Sequence, residues 1–258
     1  MIIILAIILL IILIIFGIYI KEGFEINDIK IYDVNNVTYN IGDLLLMPKL
    51  YCQNDFKDLS IIPAYYDTIK TYPNSILSIY ESLRKDKEEI IPNVNIIKKA
   101  TDNYILLHPE LNDTLDIVNN DDVLCIHLRS GNISVEPEYI DKIKDISKNY
   151  KKIIICTGIH GNNNKNEWNE DELKTNLLNT INSLNIPNIE INLKPADTHL
   201  CIFRKCKNLL IHKGGFSCLG SLLFNGTHLY ITNAFDVNKY INCENSIWKN
   251  SVFNYTII

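Results

Sequence analysis

The chain has 258 residues, enough to bury a substantial core in one large domain or two small ones. Its net charge of −5 excludes the strongly basic character that general nucleic-acid binding requires. Seven cysteines show neither a CxxC pair nor a His/Cys zinc spacing, which argues against a structural metal site.

The chain opens on an apolar run. From Ile2 to Ile20 no residue is charged and nearly every side chain is aliphatic. A helix of about 19 such residues spans close to the hydrocarbon thickness of a bilayer. A cleaved signal peptide needs a positive leading region and a small-residue cleavage site, and the run shows neither. Residues 1–20 therefore read as a retained membrane anchor and 21–28 as a short stalk. A strand pair is expected from Ile29 through Asp43, turning at Asn35-Asn36. Residues 60–90 carry two short helical patterns, including Ser75–Arg84 with apolar positions at 76, 77, 79 and 83. Pro63, Pro73 and Pro92 punctuate this part.

From about Asp121 the pattern becomes regular. Val123–Leu128 is a continuous apolar run, the mark of a strand covered on both faces. A helix is expected over 137–150, a second buried strand over 152–158 and a helix over 170–184. A strand over 189–193, a short helix over 198–206 and a strand over 208–212 come next. A helix over 217–224 and a strand over 228–232 complete the series. Strands alternating with helices predict an α/β fold on a parallel sheet. The expected boundary puts an N-terminal lobe at 29–118 and a C-terminal lobe at 119–258. Cys125 and Cys156 fall inside the apolar strands and read as small core residues. Asp121 and Asp122 read as a solvated turn before the first of these strands.

In a parallel sheet ligands bind at the carboxyl ends of the strands, so the loops there are the ones to search. The first reads His127-Leu-Arg-Ser-Gly-Asn132. Arg129 offers a forked donor pair that matches phosphate oxygens, and Gly131 lets backbone approach a ligand. The bland counterpart is a strand-end arginine in a surface ion pair beside a core histidine. The second loop reads His212-Lys-Gly-Gly-Phe-Ser217 and opens a helix. Its glycines expose backbone N–H groups at a helix N-terminus, and Ser217 is placed as an N-cap or a phosphate donor. Two such loops on one sheet edge can clamp a pyrophosphate.

These two stretches carry a family resemblance. His127-Leu-Arg-Ser-Gly-Asn resembles the His-x-Arg-Arg-Gly-Asp motif of the α-1,2-fucosyltransferases, and Cys206 through Asn233 resembles that family's second motif. Ile153-Ile-Ile-Cys-Thr-Gly followed by Trp168 resembles the strand between them. The resemblance covers roughly residues 121–235. It implies a GT-B-like fold: a Rossmann-type parallel-sheet C-terminal lobe, a reduced N-terminal α/β lobe and one preceding transmembrane helix. It also implies an inverting, membrane-anchored glycosyltransferase using GDP-fucose and a glycan acceptor, without a required metal or other cofactor and without nucleic acid. The family's topology is type II with a lumenal, Golgi- or ER-like catalytic domain. Sequons at Asn36, Asn112, Asn132, Asn225 and Asn254 are compatible with that placement.

Carried over by position, Arg129 holds the β-phosphate, His127 lines the nucleotide pocket and Gly131 shapes the turn. Gly214, Gly215, Phe216 and Ser217 form the second phosphate loop, and Asp197 resembles the aspartate that contacts the base in related fucosyltransferases. The chain departs from the first motif at Ser130 and Asn132, where the family has arginine and aspartate. The catalytic base expected by analogy with heptosyltransferase-type enzymes is Asp43, in Gly42-Asp43; a plain hairpin turn is the alternative. Two other functions stay open: a heptosyl- or pyruvyl-type transferase on the same scaffold, and a catalytically silent, membrane-tethered nucleotide- or glycan-binding protein.

Overall fold

A computed structural model of the chain describes residues 73–84, 94–131, 135–160, 170–212, 214–232 and 255–258. The expected anchor, stalk and first strand pair lie outside these residues, as do Asp43, Asn132 and Trp168. Among the described residues no helix is long and apolar enough to cross a membrane.

In chain order the helices are α1 (Ile76–Leu83), α2 (Val94–Leu107), a 3-10 turn (Pro109–Leu111) and α3 (Asn112–Val118). Then β1 (Val123–Gly131), α4 (Pro137–Ser147), β2 (Lys152–His160), α5 (Glu170–Leu184) and β3 (Ile189–Asn192) alternate. They are followed by α6 (Ala196–Lys205), β4 (Asn208–Ile211), α7 (Gly215–Leu223), β5 (His228–Ile231) and the two-residue β6 (Thr256–Ile257). The sheet runs β3-β2-β1-β4-β5-β6 and every pairing is parallel. The expected α/β fold on a parallel sheet is what forms.

Strand alternation sorts β1 between two cores. Leu124, Ile126 and Leu128 point to one face, where Tyr139 and Ile143 of α4 and Leu177, Ile181 and Leu184 of α5 cover them. Cys125 points to the other face, with Leu200 and Phe203 of α6 and Leu219 and Leu222 of α7. Each such aliphatic or aromatic side chain contributes about 1.5–3 kcal/mol on full burial. Pro137 stands at the start of α4, where its fixed φ suits the first turn and its missing N–H costs nothing. A Cβ built on Gly220 would lie 2.7 Å from the Phe203 ring, so the glycine sets how closely α7 approaches α6.

Helices α2 and α3 form where the sequence pattern predicts no element. Ile97, Ala100, Leu111, Leu115 and Val118 enter the same core as Cys125 and Phe203. Arg204 of α6 grips Asp102 of α2 through Nε–Oδ1 (3.1 Å) and Nη2–Oδ2 (3.0 Å). Val118, at the expected lobe boundary, is itself buried in this core, with α1 packed on α2, α2 on α6 and α7, and α3 on β1. Two helix starts also differ from expectation. Helix α6 begins at Ala196, two residues before Thr198, and α7 begins at Gly215, two before Ser217.

Cys125 and Cys156 are fully buried free thiols, as the apolar strands predicted. Asp121 and Asp122 lie on an exposed turn before β1, and the Asp122 carboxylate pairs with Lys151 at 2.6 Å.

Candidate functional site

The strand order defines the site. From β1 the chain winds outward through β2 to β3, then returns to lay β4 against the other side of β1. Connections leave β1 and β4 in opposite directions, which opens a crevice at their carboxyl ends. Such a switch point is where open α/β sheets hold ligands. Both loops singled out from the sequence lie here: Arg129 and Gly131 end β1, and Gly214–Ser217 follow β4.

One side of the crevice is cationic. Gly214 is the N-cap of α7, with φ +97° and ψ 168°, a region essentially closed to residues with a Cβ. A Cβ built there would come within 2.5 Å of Arg129 Nη1, so the guanidinium lies directly against the cap. Arg129 is half-buried, and among the described residues no carboxylate lies within ion-pair range of it. A cation at the positive end of a helix dipole is electrostatically unfavourable until an anion joins them. The N–H groups of Gly215 and Phe216, at the start of α7, add donors for that anion.

His127 and Ser217 connect the two loops from beneath. Both are buried, and His127 Nδ1 meets Ser217 Oγ at 2.6 Å, joining residues 90 apart in sequence. Ser217 is therefore not the N-cap: it is the third helical residue, and its hydroxyl is turned inward to the histidine. The His127 ring also lies 5.1 Å from the Phe216 ring and 5.9 Å from the Phe203 ring. Gly215 opens α7, and Gly131 closes β1 opposite His160.

Asp197 sits in the first turn of α6 and is buried. Its Oδ1 accepts the N–H of Ile76 at 3.4 Å, so the carboxylate faces the N-terminus of α1. A negative charge there satisfies one of the orphan donors of that helix.

The other side of the crevice holds a group that sequence reasoning missed. Glu136 caps the start of α4, and its Oε2 lies 3.1 Å from Nε2 of His212, which follows β4. His212 is fully buried, while the Glu136 side chain is 46% exposed. The Tyr139 ring stacks on the His212 imidazole at 4.0 Å and 10°. The Tyr139 hydroxyl donates to the His127 carbonyl at 3.3 Å, and burial pushes its ionisation far above the usual range. Glu136 and His212 are 76 residues apart, and only the β1–β4 pairing brings them together. A shallow groove at the amino ends of β2 and β3, lined by Lys151, Lys152, Asn188, Ile189 and Glu190, lies on the opposite edge of the sheet.

No protein-family model matches the chain, and no curated protein matches it. Among solved structures the chain is similar to the crystal structure of translation initiation factor eIF-2B from Pyrococcus horikoshii OT3. The identity is 10%, the match covers 81% of this chain and 76% of that one, and the TM-score is 0.25. Similarity at that level carries no conclusion about fold or function.

Proposed function

We propose that the chain is a GT-B-type inverting glycosyltransferase that binds the diphosphate of a sugar nucleotide between Arg129 and the N-terminus of α7. The donor is GDP-fucose and the acceptor a glycan hydroxyl, as the fucosyltransferase resemblance implies. The apolar run of residues 1–20 tethers the enzyme to a membrane, with the catalytic lobe on the lumenal side. The observation that carries this reading is the half-buried Arg129 guanidinium packed on the Gly214 cap. A diphosphate supplies the anion that this pairing of cation and helix terminus requires. In the reaction Arg129 and the α7 N–H groups stabilise the charge that collects on the departing phosphate. His127, fixed by Ser217, shapes the floor beneath them.

Calorimetric titration of the full chain with GDP, UDP, ADP and CMP tests the binding step. GDP is expected to bind, and Arg129→Ala to weaken it about 10- to 150-fold, the value of a hydrogen bond to a charged group. Unchanged affinity in a folded Arg129→Ala chain would sink the phosphate assignment. The substitutions from the family motif at Ser130 and Asn132 favour a second reading, a nucleotide-binding protein that does not transfer the sugar. Turnover of GDP-fucose separates the two.

A further inference from the structure

We propose that Glu136 is the general base of the transfer and that His212 is the residue that positions it; this rests on the reading of the crevice as a sugar-nucleotide site. The two sides of the crevice differ in charge. Arg129 and the α7 terminus form the cationic side, on the face of the sheet covered by α6 and α7. Glu136 and His212 form the other, on the face covered by α4 and α5. An inverting transfer needs the leaving diphosphate and the incoming hydroxyl on opposite sides of the sugar, and a sugar seated between these two sides of the crevice meets that need.

The exposures of the two residues assign their parts. Glu136 is half exposed, so its carboxylate can meet an acceptor hydroxyl and later release a proton to water. His212 is fully buried and stacked on Tyr139, so it reaches a substrate only through Glu136. With His212 Nε2 as the donor, the 3.1 Å contact holds the Glu136 carboxylate in one orientation. Among the described residues, Asp197, a second carboxylate near the strand ends, faces the α1 terminus.

In the step, the acceptor oxygen forms a bond to the anomeric carbon as the bond from that carbon to the β-phosphate oxygen breaks. The bonding electron pair leaves with the nucleoside diphosphate, and the hydroxyl proton passes to Glu136. With water as acceptor the same step is hydrolysis. The described titratable groups packed on this carboxylate are His212 and Tyr139, and burial keeps Tyr139 protonated throughout the working range.

The test uses the full chain in detergent with GDP as the binding probe and GDP-fucose hydrolysis as the reaction. Glu136→Gln is expected to leave GDP affinity unchanged and to lower kcat about 10²- to 10⁴-fold, the range for loss of a general base. His212→Leu should move the acidic limb of the kcat–pH profile upward by removing the donor that favours the carboxylate. His212→Gln, which restores a donor, should return it. Circular dichroism checks the fold of the His212 variants, and the half-exposed Glu136 variant carries the test independently. A kcat for Glu136→Gln within threefold of the parent, or its loss in Asp43→Asn alone, would overturn the assignment. A parent chain that binds GDP but leaves GDP-fucose intact overturns the inference and leaves the binding reading standing. One that binds no nucleotide overturns both.

Discussion

Gly214→Ala probes the cationic side of the crevice through two separable effects. The backbone at Gly214 has φ +97° and ψ 168°, and holding an alanine there costs about 1–3 kcal/mol. For a chain of this size that lowers Tm by about 2–12 °C. The new methyl would also meet Arg129 Nη1 at 2.5 Å, so the guanidinium must move away from the α7 terminus. On the proposed diphosphate-binding reading, its charge-assisted bonds to the ligand are then lost or lengthened, about 1.5–3 kcal/mol. Affinity for GDP falls about 10- to 150-fold in consequence. Thermal unfolding by circular dichroism reads the first effect and calorimetric titration at a temperature well below Tm reads the second. A Gly214→Ala chain with the parent's Tm and GDP affinity would refute both the strain and the packing of Arg129 on the cap.

Two further outcomes follow from the buried groups. Ser217→Ala removes the hydroxyl that His127 Nδ1 meets inside the core, and is expected to cost about 1–3 kcal/mol in chemical denaturation; a cost below a few tenths would mean that the contact is not held. Burial pushes the Cys156 and Cys206 thiols well above their ordinary range, so the folded chain keeps protons that the unfolded chain releases above about pH 8.5. The stability contributed by these groups is complete below that pH and is lost as pH rises past it. Tm should therefore fall between pH 8 and 10, with a shallower slope in Cys156→Ala; an unchanged slope in that variant would contradict the burial of the thiol.

Part of this fold was legible because its signals are local. The unbroken apolar run of Val123–Leu128 can only be a strand covered on both faces, and β1 forms there. The helical spacing of Leu177, Leu178, Ile181 and Leu184 reports the buried face of α5 over the expected span. Helices α2 and α3 were missed, although Ile97, Ala100 and Tyr104 recur at helical spacing. There Pro92 and Pro109 and the interspersed polar residues mask the pattern, and packing of α2 on α6 and α7 and of α3 on β1 completes the helices.

The cap of α7 falls away from Ser217 for a different reason. Ser217 has the chemistry of an N-cap, but a partner 90 residues away claims its hydroxyl and leaves the cap to Gly214. Local preference yields to a buried polar bond, because leaving the His127 nitrogen without a partner in the core costs more than losing a side-chain cap.

By itself, then, the sequence determined the alternation of strands and helices, the parallel sheet, and which two loops carry a basic and a glycine-rich signature. Only the tertiary structure decided that β4 lies beside β1, that Arg129 rests on Gly214, and that Glu136 meets His212. The division has a physical cause. Hydrophobic period and turn chemistry act over a few residues and are written in neighbouring letters. Strand order is set by how whole layers bury their faces, and the contacts that make the crevice follow from that order.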